Sequence, residues 1–130
     1  MTRLMRGIGF VVLLFGAACD SGPEAGELVF ALSTPNADDG AVQFTLTAVA
    51  PNTIDGVAAA CAGCQVFVET VREAEVRGVL VGEIMAGAAL RVTVSDRKSP
   101  DMYAASVVAV ASRTFALQNA GAYSLTVGDR

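Results

Sequence analysis

Between residues 27 and 127 the hydrophobic pattern repeats every two residues, and that period constrains the fold of this 130-residue chain more than any other feature. Val42, Phe44, Leu46 and Ala48 alternate with Gln43, Thr45 and Thr47. Successive side chains of an extended strand point to opposite faces, so this segment turns one apolar face to a core and one polar face to water. Leu28, Phe30 and Leu32 alternate with Val29, Ala31 and Ser33, and Leu90, Val92 and Val94 with Arg91 and Thr93. Further strands are predicted over residues 54–59, 65–71, 75–81, 89–95, 103–111 and 122–127. Turn formers separate them: residues 34–40, Pro51-Asn52, Arg72-Glu73, Gly82-Glu83, residues 96–101 and residues 119–121. About eight short strands at such intervals predict an all-β fold, an antiparallel β-sandwich or a barrel.

Composition agrees with a single packed domain. Hydrophobic residues make up 53% and charged residues 17%, enough apolar surface for one core in a chain too short for two. The chain has no His. That removes Ser-His-Asp and Cys-His arrangements and all imidazole metal ligation, so no catalytic residue and no cofactor are expected. Carboxylates alone still allow hydrolysis in principle, but no pair of them is legible from spacing. A formal charge of −4 argues against a nucleic-acid partner.

Two segments could each form a single helical turn. Residues 83–90 hold Ile84, Met85, Ala86, Ala88 and Ala89, and residues 114–119 are short and mixed; neither is long enough for an independent helix. Residues 103–111 are rich in Ala and Val on both faces, which predicts a central strand buried on both sides, with a buried helix as the alternative.

The N-terminus reads as an address. Arg3 and Arg6 precede an uncharged apolar run over residues 7–18. Its 12 residues fall short of the roughly 20 needed to span a bilayer, and the flanks fit a secretory signal. The run ends Gly16-Ala17-Ala18-Cys19, which resembles a bacterial lipobox, with Gly16 where Leu is typical. The resemblance implies that Cys19 is acylated and becomes the first residue of the mature chain. An ordinary signal peptide cut near Ala18 is the alternative. Loss of Arg3 and Arg6 would remove two of the nine basic residues against 13 acidic ones and leave a side-chain charge of −6. Such a body is not drawn electrostatically to anionic lipid, so membrane contact is expected through acyl chains, two or more of which anchor stably. The expected location is the bacterial cell envelope. Residues 19–26 read as a flexible tether of about 15 Å.

Three constellations carry chemical suggestions. Cys61-Ala62-Gly63-Cys64 is a CxxC motif. With Cys19 acylated, an even pair remains in an oxidising compartment, and a local structural disulfide is expected; free thiols or thiol–disulfide exchange are the alternatives. Asn36, Asp38 and Asp39 before Gly40 suggest either a calcium loop or a plain hairpin with Gly40 in the left-handed region. The EF-hand register fails, since Pro35 and Ala37 occupy ligand places. Residues 96–101 are the most charged stretch, expected as a solvated loop. Tyr103 and Tyr123 fall inside predicted strands and are expected in the core rather than on a sugar-stacking surface.

The pattern running from Leu28 through Asp38-Asp39-Gly40-Ala41-Val42 into Phe44-Thr45-Leu46-Thr47, continued by Leu90-Arg91-Val92-Thr93-Val94, resembles the cohesin-like, carbohydrate-binding-module-type β-sandwich of short bacterial lipoproteins. The resemblance implies a non-catalytic binding or structural module, with the membrane contacted through lipid and an envelope protein or a carbohydrate as partner. Its motifs are strand patterns only, so no partner-binding residue is carried across.

Overall fold

A computed structural model describes residues 22–128. Nine strands form two antiparallel sheets packed as a β-sandwich. They are β1 (Gly26–Ser33), β2 (Asp39–Ala48), β3 (Ile54–Ala59), β4 (Gln65–Arg72), β5 (Glu75–Ile84), β6 (Gly87–Val94), β7 (Tyr103–Ser112), β8 (Leu117–Gln118) and β9 (Ser124–Val127). One sheet has the order β3-β6-β1-β9, the other β4-β5-β2-β7-β8. No helix among the described residues is long and apolar enough to cross a membrane.

The period-two residues form the core as the pattern requires. Leu28, Phe30, Leu32, Leu90, Val92 and Val94 come from the four-stranded sheet; Val42, Phe44, Leu46, Val76 and Leu80 face them from the five-stranded one. Truncating a buried aromatic such as Phe44 to Ala typically costs about 3–5 kcal/mol, so this interface dominates stability.

Bulges interrupt the alternation at five places among the described strands, and three of them set which residues of β2, β6 and β7 are buried. On β7, Gln43 pairs Ala109 and Phe44 pairs Val107, leaving Val108 as an extra residue. Below it Tyr103 faces in; above it Val110 and Ser112 do. On β6, Ala89 is the extra residue opposite Phe30 and Ala31, so Ala89 and Leu90 are both buried. At the start of β2, Gly40 lies between the pairs Asp39↔Ser112 and Ala41↔Ala111. The alternation of Val42, Phe44 and Leu46 would send Asp39 outward; the bulge turns it into the interior.

Several expectations change. Residues 103–111 form a strand, but Ala104, Ser106 and Val108 are exposed, so its outer face is open rather than buried. The small side chains there mark a bare sheet face, not a second core. Residues 83–90 are no helical turn: they finish β5 and begin β6 around Gly87 at φ 118°. Residues 114–119 contribute β8, a two-residue strand that propensity could not show. The β1–β2 segment is not a hairpin, because its strands belong to different sheets, and Gly40 has no positive φ. Gly40 suits a close approach instead: a Cβ there would lie 3.0 Å from the Arg113 backbone, tighter than most real contacts.

Candidate functional site

The strand directions sort the loops to two ends. At the base lie the start of β1 and the segments 49–53, 73–74 and 95–102; at the opposite end lie 34–38, 60–64, 85–86 and 113–123. A ten-residue strand separates them by about 33 Å.

At the base, the charged stretch is a clasp. Glu24 N–H donates to Asp96 Oδ1 (3.2 Å), Arg97 N–H donates to the Glu24 carbonyl (2.7 Å), and Arg97 Nη2 reaches Glu24 Oε1 at 2.6 Å. Lys98 Nζ lies 3.6 Å from Glu24 Oε2. The Arg97 bond and charge hold the Glu24 carboxyl below its ordinary pKa. The Glu24 N–H and the Ser99 hydroxyl do the same for Asp96. Residues 24–26, which read as tether in sequence, are therefore part of the body. Tyr103 closes the clasp, accepting from the Asp96 N–H at 3.0 Å.

At the far end, Asp39 is fully buried. Its Oδ1 accepts from the Tyr123 hydroxyl and its Oδ2 from Thr34 Oγ1, both at 2.6 Å, while Asn36 Nδ2 donates to the Tyr123 oxygen at 2.8 Å. Burial foremost, then the bond to Asp39, raises the Tyr123 pKa. The cluster that suggested calcium is thus a latch tying the β1–β2 segment to β9; both Asp39 oxygens already have donors. Tyr103 and Tyr123 are core residues with working hydroxyls, as expected from sequence.

Cys61 and Cys64 lie at disulfide-bonding distance, with Cα atoms 5.5 Å apart and Gly63 at φ 74° easing the bend. The bridge sits between β3 and β4. A thiol is activated when a helix N-terminus follows the motif; here strand β4 follows. Gly82, at φ 134°, lets the loop settle on β5, since a Cβ there would lie 2.6 Å from the Gly63 carbonyl oxygen. Cys19, the predicted lipidation site, lies outside the described residues, as does the signal segment.

The outer face of the five-stranded sheet carries what periodicity did not reveal. Val81, Ala41 and Ala111 follow one another across the strands, and in the next row Phe67 and Val79 are followed by Gln43 and Ala109; beyond these the face turns polar with Glu69, Arg77, Thr45 and Ser106. Phe67 is 60% exposed. The apolar character continues into Phe115, 90% exposed, and Leu117, 83% exposed. Beside Phe115 is a groove of about 620 Å³ floored by Gly40, Ala41, Gly82 and Ala111. A second cleft, of about 590 Å³, opens beside β7 and β9 and is lined by Phe30, Tyr103 and Leu125 among others. In sequence, residues 114–119 read only as a candidate helical turn, because hydropathy cannot distinguish a buried ring from a displayed one.

No group of three or more His, Cys, Asp or Glu side chains among the described residues could hold a metal ion. No protein-family model, curated protein or solved structure matches this chain. The fold and site define a class, a small two-sheet antiparallel sandwich with an apolar patch at one end of its outer face, and no family beyond it.

Proposed function

We propose that the protein is an exported lipoprotein of the bacterial cell envelope, held at the membrane by acyl chains on Cys19, whose β-sandwich is a non-catalytic binding or structural module. The observation that carries this reading is the N-terminal succession of Arg3, Arg6, an uncharged run over 7–18, and Gly16-Ala17-Ala18-Cys19. The geometry says how a body tethered in this way would be oriented. The clasp at Glu24 holds the start of β1 at the base, about 33 Å from the groove beside Phe115, so a tethered body would present its apolar end away from the bilayer. Between the two partner classes, an envelope protein suits that end better than a carbohydrate. The groove floor is glycine and alanine, its polar side chains Glu83 and Arg113 are paired with each other, and its one ring, Phe115, carries no hydroxyl.

Mass spectrometry of the membrane fraction tests the anchor. An N-terminal Cys19 bearing acyl mass is expected, and Cys19→Ser should release the protein to the soluble fraction. An unmodified Cys19, or unchanged membrane attachment of Cys19→Ser, overturns the reading. The alternative, an exported thiol–disulfide protein using Cys61 and Cys64, predicts a depressed thiol pKa and fast exchange after reduction.

A further inference from the structure

On one side of the sandwich both sheets end at the same cleft. The last strand of the five-stranded sheet, β8, pairs only with Val110 and Ala111. Below them, residues 103–107 of β7 hold an unbroken register with β2 on one side and have no strand on the other among the described residues. The Tyr103 N–H donates to the Pro100 carbonyl; beyond that, no backbone bond from a described loop closes this side. The four-stranded sheet ends opposite in β9, and the cleft of about 590 Å³ lies between them. Tyr103, Ala105 and Val107 turn inward, and Phe30 and Leu125 line the cleft beside them.

Open strand edges are ordinarily guarded by a charge, a proline or a bulge. β4, at the other end of the same sheet, carries Glu69 and Arg72, and β3 carries Asp55 beside a bulge. Residues 103–107 of β7 carry no charge and no proline, and the bulge comes only after them, at Val108. We propose that this edge takes an extended segment of a partner protein as an added antiparallel strand, with alternate apolar side chains in the cleft and a Lys or Arg at its C-terminal end. Unpaired backbone selects a peptide over a sugar or a lipid, because only another backbone presents N–H and C=O groups at ladder spacing. The direction follows β8, which runs antiparallel to β7 along the same side. The C-terminal end of the segment then lies at Tyr103, beside Asp101, which lines the cleft, is exposed and has no ion pair among the described residues. A chain of formal charge −4 also favours a basic partner over a second copy of itself. Five paired residues span about 17 Å. The inference does not rest on the lipid anchor.

Amide spectra of the isotope-labelled full chain carrying Cys19→Ser, titrated with the synthetic peptide acetyl-Val-Thr-Val-Thr-Val-Lys-amide, test this. Shifts are expected at residues 104–107 and 125–127, with slowed hydrogen exchange at 104–107, and none at 65–72. In an added strand alternate amides face β7 and the others do not. Two versions of the peptide, N-methylated on the two alternate sets of amides, should therefore differ: one set weakens binding at least tenfold, the other less than threefold. Asp101→Lys, at an exposed position, should weaken the Lys-ended peptide and strengthen the same peptide ending in Glu, each roughly threefold. Equal effects of the two methylation sets, shifts confined to other strands, or no shift at millimolar peptide would each overturn the inference. Concentration-dependent broadening at 104–107 without peptide would overturn it too, by marking a second copy as the occupant.

Discussion

Asp39 shows how one glycine decides the environment of a charge. The Gly40 bulge turns its carboxylate inward, where Tyr123 and Thr34 donate to it and Asn36 donates in turn to the Tyr123 oxygen. Removing one donor should leave a buried carboxylate under-bonded, so Tyr123→Phe is expected to cost about 1–3 kcal/mol in urea unfolding. A cost below roughly 0.5 kcal/mol would mean that the latch is incidental. The raised Tyr123 pKa has a defined sign. The neutral phenol is favoured in the folded state, so this stabilisation is complete below the ordinary value of 10.0 and is lost as the pH rises through the higher folded value. Absorbance near the phenolate band should show a late-titrating tyrosine that Tyr123→Phe deletes. Gly82 is the second such residue: Gly82→Ala combines a positive φ with a backbone contact and should destabilise by at least about 1 kcal/mol, read in the same assay.

Strands and turns depend on parity. Val108 is exposed and apolar, so it looks dispensable, but it is the extra residue that lets β7 bury Tyr103 at one end and Val110 and Ser112 at the other. Val108→Thr should be nearly neutral, whereas deletion of Val108 should invert the faces above it and abolish cooperative unfolding. Equal melts for the two variants would show that β7 re-registers freely. The Cys61–Cys64 bridge closes a short loop and should contribute less than about 3 kcal/mol, with faster hydrogen exchange on reduction confined to residues 60–66. The same parity explains what was legible. Eight of the nine strands followed from alternation and turn residues, all but β8. The turn within residues 83–90 and the strand within 114–119 did not: Gly87 reverses the chain at φ 118° and the 113–116 turn closes on the Ser112 backbone and hydroxyl, neither of which hydropathy registers.

On the molecular scale, the two ends of the sandwich differ in chemistry, with an ionic clasp at the base and an apolar patch at the tip. The clasp should respond to acid. The ordinary values of Glu24 and Asp96 are 4.5 and 3.8, and both are lowered in the folded protein, chiefly by Arg97 for Glu24 and by the Glu24 N–H for Asp96. A lowered folded pKa gives stabilisation that is complete above about pH 4.5 and is lost as the pH falls through the lowered values. The amide resonances of Glu24 and Arg97 should shift in acid while those of Leu46 and Leu90 stay fixed; simultaneous loss of all four would show that the clasp has no independent opening.

By itself the sequence determined the layer architecture, the core and the signal-like N-terminus. Alternation, turn residues and a short apolar run are local properties, readable wherever they occur. Only the tertiary structure decided that Asp39 is inside, that Phe115 is outside, that residues 96–101 clasp Glu24 and that Phe115 borders an open groove. Each of these follows from a bulge or a pairing between segments far apart in the chain, and a one-residue shift in register exchanges the two faces of a strand without changing a letter of its hydropathy pattern.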